Sequence, residues 1–188
     1  MEFTTEYKES FHHYRTCSIA EISHLVATKI PSDQLPLAYL NSLSADDMTV
    51  CLRATMICWV MSKKTMVPWE MQLRVVLADV HAKDALVAAG TGSGKTLPIA
   101  LCILLDDPMA NYLSITISPL EHLQVTQESD FNNRFGILTV TINEDTPRDN
   151  EWWNVSTRNI SPIYTLINLL PRRMFIMHLL IKWDVPDT

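Results

Sequence analysis

The sequence predicts an α/β protein: an incomplete parallel sheet with helices on both faces, preceded by an all-helical region. Three observations carry this. From Pro68 onward, apolar runs of strand length alternate with runs of helical spacing, and strands separated by helices imply right-handed crossovers and parallel pairing. Before Pro68 the apolar positions keep a helical period. Three of the four glycines, Gly90, Gly92 and Gly94, fall within five residues, and only Gly136 stands apart. About 7% glycine is usual, so a chain this poor in glycine has a backbone requirement where it concentrates it.

The 188 residues suit one domain, or one domain with an appendage. Hydrophobic residues make up 47% and charged residues 19%, which excludes wholesale disorder. Fifteen Lys and Arg against 21 Asp and Glu give a net charge of -6. A basic coat for indiscriminate nucleic-acid adhesion is therefore absent, although main-chain N–H groups can still grip a phosphate backbone. Cys17, Cys51, Cys58 and Cys102 are scattered without a CxxC pair, which argues against a zinc site. Cys51 and Cys58 lie at a helical repeat and read as buried thiols. With no secretory leader pattern, the four favour a reducing compartment. No membrane association is expected: the most apolar stretch, Tyr164 to Trp183, is broken by Pro171, Arg172 and Arg173, short of the roughly 20 apolar residues a span needs.

The elements follow in order. Residues 1–66 form the helical region. Ala20 to Ile30 places Ile22, Leu25 and Val26 on one face and stops at Pro31. Ser44-Ala45-Asp46-Asp47 has the form of a capping box, and Met48 to Met61 suits a buried helix. Lys63 and Lys64 would complement its C-terminal dipole. Beyond Pro68, Trp69 to Val80 is a predicted helix and Ala85 to Ala88 a short strand. Thr96 to Leu105 is a helix that tolerates Pro98 in its first turn. Leu113 to Ser118 alternates with period two and is a strand, Glu121 to Phe131 a helix, and Ile137 to Ile142 a strand led in by Gly136. Thr146 and Pro147 would start another helix. Residues 154–188 hold apolar runs with no assigned layout.

Ala89-Gly90-Thr91-Gly92-Ser93-Gly94-Lys95-Thr96 fits the Walker A pattern, with Ala in its first position. Each part has a physical reason. Gly92 and Gly94 allow backbone angles in which a Cβ would clash, and let successive N–H groups converge as an anion nest. The following helix adds unsatisfied N–H groups and a positive dipole end. Lys95 would place a cation on the β- and γ-phosphates of ATP, and Thr96 would offer its hydroxyl to Mg²⁺. Turnover also needs a carboxylate at another strand end and a group that orients water. Ile103-Leu104-Leu105-Asp106-Asp107 reads as a helix ending in solvated acids. Val140-Thr141-Ile142-Asn143-Glu144-Asp145 is a strand ending in acids, but of the wrong order. No catalytic residue is assigned.

With the loop and its flanks in view, the chain resembles superfamily 2 helicases, and among them the RecQ-like DNA helicases, including divergent fungal members. Val67-Pro68-Trp69-Glu70-Met71-Gln72 is similar to the family's adenine-recognition motif. The resemblance puts Gln72 on the adenine edge, and the plain alternative is a surface glutamine on a helix. Ala89 to Thr96 has the A-x-T-G-S-G-K-T form common in these helicases. Ser118-Pro119-Leu120, with Leu123 and Gln127, is similar to motif Ia, which grips the DNA backbone, single-stranded or duplex. Arg134 to Pro147 is similar to the next segment of divergent fungal members.

The resemblance implies an incomplete RecA-like P-loop domain over residues 67–153, between the helical region 1–66 and an unassigned tail 154–188. It also implies ATP-driven 3′-to-5′ strand separation and a nuclear location for the family. No D-E-x-H motif, S-A-T motif or second lobe with its arginine finger follows. The chain is therefore expected to be the opening portion of a helicase that binds ATP and DNA but does not hydrolyse or unwind alone. A truncated sheet would leave an open edge and invite self-association. Two rivals remain: a non-catalytic protein keeping a relic loop, and another small P-loop NTPase such as a nucleotide kinase. The latter has only Arg148, Arg158, Arg172 and Arg173 as candidates for a lid.

Overall fold

The computed structural model describes residues 5–90, 92–106, 114–117, 121–142 and 164–167. The chain divides into two compact units, Phe3–Asp106 and the remainder.

In the first unit, α1 (Thr5–Thr16), α2 (Ile19–Lys29), α3 (Leu37–Leu40) and α4 (Ala45–Met61) are followed by α5 (Glu70–Val80) and α6 (Thr96–Leu105). Capping sets the starts. The Ser18 hydroxyl accepts from the Glu21 N–H at 3.3 Å, and the Ser44 hydroxyl from the Asp47 N–H at 3.2 Å. Helix α4 is the centre of this unit and packs against α1, α2, α5 and α6. It buries Cys51, Ala54, Thr55, Met56, Ile57 and Cys58 completely, and a helix apolar on nearly every side needs neighbours on every side. The Thr55 hydroxyl is accommodated in that core by donating to the Cys51 carbonyl at 2.7 Å. Burial, followed by the charge of Asp47, pushes the Cys51 thiol up to about 12, so it stays a protonated apolar group. All four cysteines are buried and none is in a disulfide.

The scarcity of glycine shows at the helix ends. After α4, the Lys64 N–H reaches the Trp59 carbonyl and the Lys63 N–H reaches Val60, with φ of 56° at Lys63 and 66° at Lys64. After α5, the Lys83 N–H reaches Ala78 and the Ala82 N–H reaches Asp79, with φ of 51° at Ala82. Both are Schellman closures, a motif that ordinarily places glycine in the left-handed position. Both helices nevertheless end where their apolar runs were expected to stop, at Met61 and Val80.

One expected element is corrected. Ala85 to Ala88 forms no strand; it is irregular, and Leu86 is 99% exposed. A strand exists only where a neighbour supplies N–H and C=O partners, and this run has none among the described residues. It lies instead along one side of an open groove of about 580 Å³, whose other side is Glu70, Met71, Arg74 and Val75 of α5.

In the second unit, β1 (Ser114–Ile117), α7 (Glu121–Ser129), a π-helical turn (Asp130–Arg134), β2 (Thr139–Ile142) and β3 (Tyr164–Ile167) occur in that order. The three strands pair in parallel with spatial order β1-β3-β2. Ser114 is opposite Tyr164 and Ile117 opposite Ile167 on one side, with Thr139 opposite Tyr164 on the other. The strands expected to be successive therefore do not touch: β3 lies between them, from a segment in which the sequence suggested no layout. Phe131 and Phe135 meet edge to face at 5.7 Å and are buried, as is Ile137. The Asn132 carboxamide accepts from the Thr139 N–H at 3.0 Å and donates to its carbonyl at 3.1 Å. It thereby satisfies both main-chain groups of that residue in the way a neighbouring strand would.

Candidate phosphate-loop site

The glycine-rich loop joins the groove-side run Ala85–Ala88 to α6. Gly92 and Gly94 take φ of 82° and 68°, and Gly90 has no left-handed φ. Those two glycines are the positions where a side chain is strained. Thr91 lies outside the described residues. Helix α6 begins at Thr96, and its first bond runs from the Leu97 N–H to the Gly94 carbonyl at 3.1 Å. The preceding N–H groups at a helix start have no intrahelical acceptor. The rest of α6 is anchored: Leu97 through Ile103 are all buried. At the far end the Arg15 guanidinium donates to the Leu104 carbonyl at 2.9 Å and reaches that of Asp106 at 3.4 Å. A cation at a helix C-terminus stabilises the helix dipole, so α1 braces the helix that carries the loop.

Lys95 is exposed, yet its ammonium is engaged. Nζ donates to the Ala89 carbonyl at 2.8 Å and the Gly90 carbonyl at 2.7 Å. The Ser93 hydroxyl donates to the same Gly90 carbonyl at 2.8 Å. The loop thus folds its cation onto its own oxygens, in hydrogen bonds whose donor is ionised. Thr96, half-buried in the first turn of α6, stands next to that ammonium in the chain.

Gln72 is not a surface residue: it is 4% exposed. It occupies the third position of α5, and its Oε1 accepts from the Trp69 N–H at 2.8 Å. That is one half of a capping box. Its Nε2 donates to the Gly94 carbonyl at 3.1 Å and reaches that of Ser93 at 3.5 Å. Helix α5 and the loop are therefore joined through one carboxamide, and a contact from Gln72 to adenine would have to compete with these bonds. Trp69, beside it, is 64% exposed. The sequence offered no signal for the Gln72–Gly94 junction, because 22 residues separate the partners.

The other sequence-predicted positions fall in the second unit. Ser118, Pro119 and Leu120 lie outside the described residues, as do Asp107 and the acids Glu144 and Asp145 with Thr146 and Pro147. Of the motif's remaining members, Leu123 is 42% exposed on α7 and Gln127 is buried. Among the described residues no cluster of His, Cys, Asp and Glu could hold a metal ion. No described helix is long and apolar enough to cross a membrane.

The DEAD/DEAH box helicase model matches residues 69–181, more than half of the chain. No curated protein and no solved structure is found to match. The matched stretch opens at Trp69, contains the loop and α6, and extends past β3 within the segment 154–188 that carries no recognised motif. This family implies a RecA-like fold. The chain belongs to the DEAD/DEAH box helicase family.

Proposed function

We propose that the chain is an ATP-binding, nucleic-acid-binding portion of a RecQ-type DNA helicase. The single observation that carries the nucleotide reading is the loop from Ala89 to Thr96. It combines two left-handed glycines, a lysine ammonium and a helix N-terminus in one turn of chain, inside the family match. These residues fit a magnesium triphosphate. Lys95 supplies the cation for the phosphate oxygens, the N–H groups of the glycine-rich turn and of α6 supply neutral donors, and the Thr96 hydroxyl is an oxygen ligand of the kind Mg²⁺ takes. Nucleotide bound here would supply the phosphoanhydride bond whose cleavage drives helicases. The chain's own residues bind and orient it.

Assignment to the RecQ type rests on the Val67–Gln72, Ala89–Thr96 and Ser118–Gln127 segments. In this reading Ser118, Pro119 and Leu120 contact the DNA backbone and the polarity is 3′ to 5′. We further infer that the chain alone neither hydrolyses ATP nor unwinds DNA, because no D-E-x-H carboxylate and no arginine finger occur in the sequence. The engagement of Lys95 Nζ by Ala89 and Gly90 favours a second reading, a relic loop closed on itself. Titration with a fluorescent ATP analogue and Mg²⁺ separates the two. Saturable binding that Lys95→Ala reduces by at least about tenfold, the loss of one charge-assisted contact, supports the nucleotide reading. No binding by the wild type refutes it. Steady ATP-dependent strand separation by the purified chain would refute the inactivity.

A further inference from the structure

We propose that the Asn132 carboxamide guards the outer edge of β2, and that the partner it excludes is a second copy of this chain.

The segment Ile137-Leu138-Thr139-Val140-Thr141-Ile142 is adhesive by composition. Every residue in it is apolar or β-branched, with no charge, no proline and no glycine. Short segments of that kind pair readily with copies of themselves. Its last part, Thr139–Ile142, is β2, and β3 occupies one side of that strand in parallel register. The other side decides whether the segment stays within its own chain.

Asn132 meets that other side. Its Oδ1 accepts from the Thr139 N–H at 3.0 Å, and its Nδ2 donates to the Thr139 carbonyl at 3.1 Å. A residue in a strand sends its N–H and C=O to one side, and the next residue sends them to the opposite side. Thr139 and Thr141 therefore turn their main-chain groups outward, while those of Val140 and Ile142 face β3. A carboxamide carries an acceptor and a donor side by side, as a main chain does. One side chain thus takes both groups of the first outward residue. Thr141 is what remains of the outer edge of β2, and one residue is too short a template for a stable strand pair.

The guard is held from both ends. Asn132 sits in the π-helical turn just after the buried Phe131, and the buried Phe135 closes that turn against it. The Ile137 N–H donates to the Phe131 carbonyl at 2.8 Å, which ties the turn to the start of the adhesive segment. The Thr139 hydroxyl donates back to the Ile137 carbonyl at 3.0 Å. Thr139 is buried by this arrangement, whereas its neighbour Leu138 is 48% exposed. A second copy would find an apolar side chain at Leu138 but no main-chain partner at Thr139. Without Asn132 the same edge on two copies could pair antiparallel about a two-fold axis, with no like charges opposed within the segment.

The test measures self-association of the full chain by sedimentation over a series of concentrations. The chains compared are the wild type, Leu138→Lys, Asn132→Ala and the double variant. Amide hydrogen exchange at Thr139 is measured at the lowest concentration. Asn132→Ala should raise the association constant at least about tenfold, the effect of one or two freed hydrogen bonds, and should speed exchange at Thr139. Adding Leu138→Lys should abolish that gain, because a charge beside an edge strand opposes pairing. Leu138→Lys alone should leave the behaviour of the wild type unchanged. Asn132→Ala associating no more than the wild type would overturn the proposal. A gain that Leu138→Lys does not reverse would place the association elsewhere and overturn it too. So would wild-type association that Leu138→Lys breaks, since the edge would then already be open. If Asn132→Ala does not fold, exchange in the wild type decides: a slow Thr139 amide supports the guard, and one as fast as in an unstructured peptide refutes it.

Discussion

The three loop glycines should respond to alanine in a fixed order. Gly90 has no left-handed φ, and a Cβ there meets nothing within 4 Å. Gly90→Ala therefore adds no strain, and by restricting the unfolded chain it should leave stability unchanged or raise it by up to about 1 kcal/mol. Gly92 has open space but a φ of 82°. Gly92→Ala should cost about 1–2 kcal/mol, the penalty of a Cβ in the left-handed region. Gly94 combines a φ of 68° with the Gln72 amide 2.7 Å from its Cβ position. Gln72 can retreat only by giving up bonds to Gly94 and Trp69, at about 1 kcal/mol each. Gly94→Ala should therefore cost about 3–4 kcal/mol. Urea unfolding of the three variants, compared at a common slope, reads these differences directly. In a Gln72→Ala background the clash is gone, and Gly94→Ala should cost only its φ strain, about 1–2 kcal/mol. If Gly90→Ala proves as damaging as Gly94→Ala, or if the cost of Gly94→Ala is the same with and without Gln72, the reasoning from loop geometry fails.

Two further outcomes follow from the helix ends and their contacts. Lys63→Gly and Ala82→Gly relieve left-handed strain at two Schellman closures. Each should raise the unfolding free energy by up to about 1 kcal/mol, the relief of left-handed strain less the unfolded-chain entropy that glycine adds. Destabilisation by both would show that the closures are not as described. Asp47, in the first turn of α4, lies 2.7 Å from His81 Nε2. The hydrogen bond from His81 is the largest influence and holds the carboxyl below its ordinary value; burial opposes it, and the Ser44 hydrogen bond adds to the lowering. A depressed carboxyl contributes stability above its unfolded value, near pH 4, and that stability is lost as pH falls through the lower folded value. The destabilisation caused by His81→Ala should therefore be present at about pH 5 and diminish on acidification below pH 4. A difference between wild type and variant that grows as pH falls through that window would contradict the assignment.

The helices were largely legible in the sequence, because their causes are local. Ser18 and Ser44 cap where side-chain spacing says they should, and Pro31 follows the end of α2. The apolar run of α4 marks it as a core helix, and Cys51, Met56, Cys58, Trp59 and Met61 are buried. The loop was equally plain, since glycine is needed where φ turns positive and this chain places it almost nowhere else. The ends of α4 and α5, Met61 and Val80, fall where the helical runs were expected to stop, although Lys63 and Ala82 hold left-handed positions that ordinarily go to glycine.

The remainder depended on partners distant in the chain. Ala85 to Ala88 has the composition of a strand, but an extended segment becomes one only when another segment supplies its hydrogen bonds. The run that does pair with both β1 and β2 is Tyr164–Ile167, in a segment whose turn residues fit no single layout. Gln72 illustrates the same division. Its residue type and position were visible, and its amide suited an adenine edge. That its carboxamide is spent on Trp69 and Gly94 was settled by packing α5 against the loop, a contact with no period and no motif. Sequence alone determined what local sterics and apolar spacing dictate: the helices, the glycine turn and the family. Tertiary structure alone decided which main-chain groups found partners across long separations, because hydrogen-bond satisfaction is a property of neighbours in space.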